Sequence, residues 1–195
     1  MFKRRIPLTF FQNLKEILWP SMGWPRAFKY VQRRVIRISD NSKKIAAGLA
    51  FGAVISFTPI VGTHIIQAGL LAYIFRANVV AAAIGTLVGN PWTFPFMWWA
   101  AISFGSFLFG LFGLPASTNL PEAMNFSIFW DVMRHEPLRV FLPWCMGGYL
   151  IALLSWPFFY YLFYYPVKAA KIARRKARLR KALKTAREVT EKKTK

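Results

Sequence analysis

Residues 44–95 read KIAAGLAFGAVISFTPIVGTHIIQAGLLAYIFRANVVAAAIGTLVGNPWTFP, and after Lys44 only Arg76 in this segment carries a charge. Charge-free runs cover residues 45–75 and 77–121, and a third run covers residues 140–167. A helix that crosses a bilayer needs about 20 consecutive, mainly apolar residues. All three runs exceed that length, which predicts an all-α fold, an integral membrane helical bundle.

The composition of the whole chain favours the same prediction. Hydrophobic residues make up 55% of the 195 residues, although the formal net charge is +20. The basic residues lie at the ends, since 11 of the 27 Lys and Arg precede residue 45 and 13 follow residue 167. A soluble domain with this composition would expose large apolar patches, which soluble monomers rarely do. Lipid contact explains the composition more simply.

The first run is interrupted in its middle, at Thr58-Pro59-Ile60-Val61-Gly62. Proline removes a backbone donor and clashes with the preceding turn, and glycine allows a sharp change of direction. Each half of residues 45–75 is about 20 Å long as a helix, which is too short to cross a bilayer alone. The run is therefore either a re-entrant hairpin or one long kinked helix.

The second run repeats this pattern. Residues 77–89 form a half-length helix, Asn90–Pro95 is the break, and residues 96–113 are long enough to complete a crossing. Small residues at a four-residue spacing precede both breaks, as Gly48 with Gly52 and as Gly85 with Gly89. This spacing lets helices approach closely in lipid, and its repetition is consistent with a duplicated unit.

We predict three segments along the chain. They are basic amphipathic N-terminal helices in residues 1–43, a membrane domain in residues 44–165 and a basic cytoplasmic tail in residues 166–195. The membrane domain consists of a core in residues 44–110, an outer loop in residues 114–139 and a last crossing in residues 140–165.

Residues 26–38 form one of the predicted N-terminal helices, with Phe28, Val31, Val35 and Ile38 on one face and basic residues on the others. A basic amphipathic helix next to a membrane segment is suited to lie among anionic lipid headgroups. The alternative is an ordinary helix that packs on the protein's own core.

The positive charges predict the topology, because basic segments stay in the cytoplasm. Both termini are then cytoplasmic, and the number of full crossings is even. In the simplest solution residues 45–75 enter and return, residues 77–113 cross outward and residues 140–165 cross back. The alternative makes residues 45–75 the crossing and residues 77–113 the hairpin. The expected location is the bacterial inner membrane.

Backbone groups freed at the two breaks need polar surroundings if they lie in hydrocarbon. We therefore predict a substrate site between the breaks, with its polar contacts at Thr63, Gln67, Asn90 and Thr93. Residues that shape the backbone around it are Gly48, Gly52, Pro59, Gly62, Pro91 and Pro95. Helix N-termini that begin near both breaks favour an anionic ligand. The alternative is that these polar side chains only bond across helices or to freed carbonyls.

No catalytic or metal-binding set emerges from the sequence, so we expect no enzyme activity, cofactor or metal. The only histidines, His64 and His135, lie far apart in the sequence, and the outer-loop acids have no ligand spacing. His64 is expected to be a hydrogen-bonded structural residue rather than a proton relay. Cys145 is the only cysteine, which excludes an intrachain disulfide.

The basic tail has three interpretations, namely contact with anionic lipid, contact with RNA, or determination of topology. No aromatic residue follows Lys168, so a stacking platform for nucleic acid is missing. We expect contact with membrane lipids and no specific binding of nucleic acid.

The spacing of the two breaks resembles the bacterial DUF2062 family of membrane proteins over residues 44–110. The residues that carry the resemblance are Gly48–Gly52, Phe57–Thr63, Phe75–Asn78 and Gly89–Pro95. His64 stands where the family is expected to have glutamine. The resemblance implies at most a link to envelope or lipid metabolism, because such domains also occur fused to glycosyltransferase-like enzymes. The paired breaks are also similar to the re-entrant motifs of DedA-type lipid-handling proteins, which is an analogy of fold alone.

Three functions follow as hypotheses. The first is a non-enzymatic membrane protein, expected to be a homo-oligomer, that binds or moves a small anionic or lipid substrate between the breaks. The second is a scaffold that positions an envelope-synthesis enzyme through the basic termini. An enzyme that uses His135 and the outer-loop acids comes last.

Overall fold

The computed structural model of the protein describes residues 23–60, 62–114, 134–135 and 137–193. Within these ranges the secondary structure is helical and contains no strand. The chain divides into two units between Arg37 and Ile38. The predicted N-terminal helix before residue 23 and nearly all of the predicted outer loop 114–139 lie outside the described residues.

Helix α1 (Trp24–Arg37) is the described part of the first unit. The predicted helix covers residues 26–38, so α1 begins two residues earlier and ends one residue earlier than predicted. Arg34 donates hydrogen bonds from Nε and Nη2 to the Tyr30 hydroxyl, 3.0 and 2.8 Å away, one helical turn earlier. Phe28 is largely exposed, as is the basic side of the helix.

The run of residues 45–75 folds as a hairpin of two short helices, α2 (Ser42–Ile55) and α3 (His64–Ile74). Asn41 caps α2 by accepting the backbone N–H of Lys43 at 3.0 Å. Beyond the end of α3, the backbone N–H of Asn78 donates to the carbonyl oxygen of Lys44 at 3.0 Å. The chain therefore returns to the level at which α2 begins, instead of continuing as one kinked helix.

Helix α4 (Val79–Gly85), with a 3-10 turn at Thr86–Val88, then runs beside α2 in the same direction. A Cβ atom on Gly52 would meet the carbonyl carbon of Gly85 at 2.6 Å, and one on Gly85 would meet the backbone of Leu49 at 2.9 Å. The two helices are thus in contact through their backbones, as the small-residue spacing predicts. Ten of the 14 residues of α2 are buried, because α3, α4 and the last helix all pack on it.

Helices α5 (Phe94–Leu111) and α6 (Pro137–Lys193) form an antiparallel pair. Gly105 of α5 lies on the backbone of Pro143, and Gly147 of α6 lies on the backbone of Ala101. Both helices are long and apolar enough to span a membrane, in Phe94–Leu111 and within Leu138–Ala186. Only 22% and 33% of their apolar windows are buried, whereas the core helix of a soluble protein is mostly buried. The fold is consistent with a helical membrane protein.

Helix α6 continues without interruption through Pro143, Pro157 and Pro166. The predicted last crossing and the predicted basic tail are therefore parts of one helix. Proline at these positions removes single backbone bonds, which a long helix packed on its neighbours can tolerate.

Candidate functional site

The two chain breaks lie side by side in the structure. A Cβ atom on Gly89, just before the second break, would lie 2.5 Å from the Cβ atom of Ser56, just before the first. The ring centroids of His64 and Phe94, which begin α3 and α5, are 5.8 Å apart. The two breaks are close because α2 and α4 pack in parallel and each helix leads into its own break at the same height.

The first break lies against the charge-free part of α6. A Cβ atom on Gly148 would meet the carbonyl oxygen of Phe57 at 2.6 Å. Gly148 is nine residues from Arg139 and twenty residues from Lys168 along α6. At helical rise these separations are about 14 and about 30 Å, so charged side chains of α6 are distant on both sides.

The freed backbone groups of the first break are bonded locally. The Thr58 hydroxyl donates to the carbonyl oxygen of Ile55 at 2.8 Å, and Nε2 of His64 lies 3.1 Å from the carbonyl oxygen of Thr58. This bond requires the proton of His64 on Nε2, since a carbonyl only accepts. Gly62 has φ +89°, a left-handed conformation that residues with a Cβ rarely adopt.

A chain of three polar side chains, which we call the polar row, begins at this break. Nε2 of Gln67 donates to the Thr63 hydroxyl at 2.6 Å, and the Tyr149 hydroxyl of α6 donates to Oε1 of Gln67 at 2.9 Å. The Thr63 hydroxyl in turn donates to the carbonyl oxygen of Ile60 at 2.7 Å. Tyr149 is 42% exposed, and Thr63 and Gln67 are partly exposed. The row is thus accessible from the surface between α3 and α6.

The polar row retains unused hydrogen-bonding capacity. Gln67 has a second amide N–H, and the Tyr149 oxygen has lone pairs beyond its bond to Gln67. An acceptor oxygen of a ligand could accept from this amide, and a ligand hydroxyl could donate to the phenol oxygen, without breaking the bonds within the row.

The second break is a compact turn in which side chains of the turn bond its backbone groups. Oδ1 of Asn90 accepts the backbone N–H groups of Trp92 and Thr93 at 2.9 and 3.2 Å. The Thr93 hydroxyl donates to the carbonyl oxygen of Val88 at 2.6 Å and accepts the N–H of Asn90 at 3.0 Å. Pro91 is the second residue of this turn, where its fixed φ is favoured. The geometry gives Asn90 and Thr93 a backbone-holding role.

The second break continues into a stack of aromatic rings. The rings of Phe94 and Trp98 stack at 4.7 Å, and those of Trp98 and Trp144 meet edge to face at 5.1 Å. The stack fixes the start of α5 against α6. The indole N–H of Trp98 is buried and has no hydrogen-bond partner within the part of the chain that the structure describes.

The four predicted contact residues fall into two separate pairs. Hydrogen bonds join Thr63 to Gln67, and others join Asn90 to Thr93, but none described for these residues links one pair to the other. The contact between the breaks is made by Ser56 with Gly89 and by His64 with Phe94. Tyr149 is not predictable as a member of the site, because no local pattern marks it as a partner of a residue 82 positions away.

Within the described ranges, no three His, Cys, Asp or Glu side chains lie close enough together to hold a metal ion.

One comparison with known proteins gave a match. The model of the family described as "Uncharacterized protein conserved in bacteria (DUF2062)" matches residues 25–176, which include both breaks and most of α6. No curated protein and no solved structure matches the chain.

Proposed function

The chain belongs to the DUF2062 family of bacterial proteins, and from the position of the polar row we propose that it is a non-enzymatic integral membrane protein that binds or moves a small anionic or lipid molecule there. The row is the best candidate for contact, because Asn90 and Thr93 already use their polar groups to hold the second turn. No cofactor or metal enters this proposal.

The position of the polar row is the observation that carries the proposal. Its partly exposed amide and hydroxyl groups lie beside the charge-free part of α6, next to apolar side chains such as Ile66 and Leu70, which are 71% and 57% exposed. Polar groups that face hydrocarbon are costly, and polar residues within membrane segments are often part of a substrate or ion path. A lipid headgroup or a small anion could use their spare hydrogen-bonding capacity.

The proposed arrangement is a multi-pass protein of the inner membrane with both termini in the cytoplasm. It rests on the basic residues of α1 and of the α6 tail, and on the return of the chain from Lys44 to Asn78. In this arrangement α2 and α3 form the re-entrant hairpin, and α5 and α6 are the two crossings.

Cysteine labelling tests the depth of the first break. Both cysteines are introduced in a Cys145→Ser background, and a small water-soluble maleimide is the reagent. The cysteine of Ile60→Cys, in intact membranes, should react more slowly than the cysteine of Lys176→Cys after permeabilisation. Labelling at equal rates would place the break in bulk water and remove the reason for a ligand path.

Flux in reconstituted vesicles tests the function. We expect the protein to speed the transbilayer movement of a trace of headgroup-labelled fluorescent phosphatidylglycerol, in vesicles of phosphatidylethanolamine and phosphatidylglycerol. Gln67→Leu and Tyr149→Phe should each slow this movement about five- to ten-fold, since each removes a hydrogen bond of roughly 1 kcal/mol from the site. Tyr165→Phe is the matched control, because Tyr165 lies on the same helix but outside the row.

Two results would contradict this function. One is a wild-type protein that moves neither this lipid nor small anions faster than empty vesicles do. The other is equal flux in the two row variants and in the Tyr165→Phe control.

A second candidate function is a scaffold for an envelope-synthesis enzyme. It is favoured by the continuation of α6 as a basic helix for about 38 Å beyond Lys168, which is longer than the roughly 15–20 residues over which flanking charges set topology. Removal of residues 174–195 preserves Lys171 and should release a co-purifying partner. A wild-type protein that purifies alone would end this proposal. Size-exclusion chromatography of the purified wild-type protein tests the proposed homo-oligomer.

A further inference from the structure

The turn between α3 and α4 contains a residue in an unusual conformation. Arg76 has φ +53°, and it is the only non-glycine residue with positive φ in the described ranges. A side chain with a Cβ is disfavoured there, and glycine adopts the same conformation at lower cost. Unfavourable conformations that persist in a structure are often connected with a function of the residue concerned.

The backbone of the turn is held by groups other than the Arg76 side chain. The backbone N–H of Arg76 donates to the carbonyl oxygen of Tyr73 at 3.1 Å. The backbone N–H of Ala77 donates to the carbonyl oxygen of Ala72 at 2.7 Å. Asn78 anchors the end of the turn, since Oδ1 accepts the N–H of Ala81 at 2.7 Å and Nδ2 donates to Oδ2 of Asp40 at 3.1 Å. The arginine side chain is therefore not needed to form the turn.

The surroundings of this turn have an excess of positive charge. Asp40 is the only acidic residue between Glu16 and Glu122 in the sequence. Lys44 and Lys171 both act electrostatically on its carboxylate, and the Lys171 ammonium also donates to its backbone carbonyl oxygen. Asp40 thus has two cationic neighbours before Arg76 is counted. Arg76 is exposed, and no ion pair is described for its guanidinium group within the described part of the chain.

The turn lies where the charge-free part of α6 ends. Lys171 is three residues, about 4.5 Å along the helix, beyond Lys168, which closes the run of residues 140–167. The contact of Lys171 with Asp40, and of Asp40 with Asn78, places the Arg76 turn at the same level. For α6 in a bilayer, this is the depth of the lipid headgroups.

We propose that Arg76, together with Lys44, whose backbone carbonyl oxygen accepts the N–H of Asn78, binds the phosphate of an anionic phospholipid at this level. The planar guanidinium can donate two parallel hydrogen bonds to phosphate oxygens, and the ammonium of Lys44 adds a second positive charge. Asp40 can offset only one of the three cations Lys44, Arg76 and Lys171, so an excess of positive charge remains at this level. This site requires the chain to lie in a membrane, but it is independent of the polar row and of any flux through it.

The test uses the full-length protein purified in a neutral detergent and titrated with short-chain phosphatidylglycerol, with phosphatidylcholine as the zwitterionic comparison. Wild type should prefer phosphatidylglycerol. Arg76→Gly removes the guanidinium and relaxes the backbone, so folding should be preserved and the unfolding midpoint unchanged or higher. We expect this variant to bind phosphatidylglycerol about five-fold more weakly, as the loss of one cation near an anionic headgroup implies.

Two further variants separate a site from general charge. Arg76→Lys keeps the charge without the fork, and should lose affinity by about two-fold. Arg178→Ala removes one exposed cation from α6 far along the helix, and should not change binding. The proposal is overturned if Arg76→Gly and Arg178→Ala behave alike, if wild type does not distinguish the two lipids, or if soluble glycerol phosphate competes as well as the lipid binds. Unchanged flux in Arg76→Gly would leave the proposed function intact, and lost lipid preference with normal flux would support this site alone.

Discussion

Asn78 and Lys44 are joined by a backbone hydrogen bond of 3.0 Å, which closes the α2–α3 hairpin at its open end. The bond sets the start of α4 beside the start of α2. Because both helices then run in the same direction, their breaks are reached at the same height. The two breaks therefore lie side by side as a consequence of this hydrogen bond.

Substitution of Gly52 by alanine should destabilise the protein. The new Cβ would lie 2.6 Å from backbone atoms of Gly85 and Thr86, which cannot move without separating α2 from α4. Overpacking of this kind costs about 1–3 kcal/mol. Reversible unfolding in mixed micelles measures the change in the free energy of unfolding.

Gly110→Ala is the control for this prediction. A Cβ atom on Gly110 would meet nothing within 4 Å, and the residue lies in the exposed last turns of α5. Its stability should be unchanged, or raised by up to about 1 kcal/mol through helix propensity. Equal losses in the two variants would contradict the close contact of α2 with α4.

Substitution of Asn90 by alanine should destabilise the second break by about 0.5–2 kcal/mol, the range for lost helix caps. Its side chain accepts two backbone N–H groups and donates to the carbonyl oxygen of Val88 at 3.3 Å. Thr93→Val removes the other half of the same turn, so the double variant should lose less than the sum of the two single losses. Thr93→Ser keeps the hydroxyl and should be nearly neutral. Strict additivity would show that the two side chains do not act as one unit.

Two substitutions of His64 distinguish the contribution of its hydrogen bond to stability from the contribution of its side-chain volume. His64→Leu leaves the carbonyl oxygen of Thr58 without its buried partner and should cost about 1–3 kcal/mol. His64→Gln retains an amide N–H that can reach the same carbonyl, and should cost less than about 1 kcal/mol. Chemical unfolding of both variants provides the comparison, and equal losses would argue against the bond.

The Asp40 carboxylate should make stability depend on pH in the acid range. The amide of Asn78 and the N–H of Asn41 hold the pKa of Asp40 below its usual 3.8. Burial opposes these two hydrogen bonds more weakly, and the charges of Lys44 and Lys171 lower the pKa by the smallest amounts. A pKa that is lower in the folded state stabilises the fold above the unfolded value, and this contribution is lost as the pH falls through the folded value. The gap in unfolding midpoint between wild type and Asp40→Asn should therefore shrink from about pH 6 to about pH 3.

Comparison with Asp40→Asn isolates this group from the other carboxylates, which titrate in both proteins. A gap that stays constant or widens toward acid would mean that Asp40 is not held as a stabilised carboxylate.

The resemblance to DUF2062 was recognised from the residues of the two breaks, and the family match over residues 25–176 confirms it. The all-helical fold is confirmed as well. Both could be predicted because charge-free runs, proline and glycine act locally: they set where a helix can continue, whatever surrounds it. The end of α2 and the start of α5 follow from Pro59 and from the Asn90–Pro95 turn for this reason.

The set of residues that form the candidate site could be predicted only in part from the sequence. The polar pair Thr63 and Gln67 lies one helical turn apart and was visible in the sequence, but its third member, Tyr149, was not. The backbone-holding geometry of Asn90 and Thr93 was one of two open alternatives, because a side chain's hydrogen bonds depend on which carbonyls the turn presents. The role of any of these residues in binding a substrate stays a prediction.

By itself, the sequence determined where the helices break, how the charges divide between the ends and the middle, and which glycines permit close packing. Those properties depend on neighbours within a few residues. The tertiary structure decided that the Gly48–Gly52 surface meets α4, that Gln67 bonds to Tyr149, and that Lys171 reaches Asp40, 131 residues away. Such contacts depend on the direction and height of helices packed against one another, which no local pattern specifies.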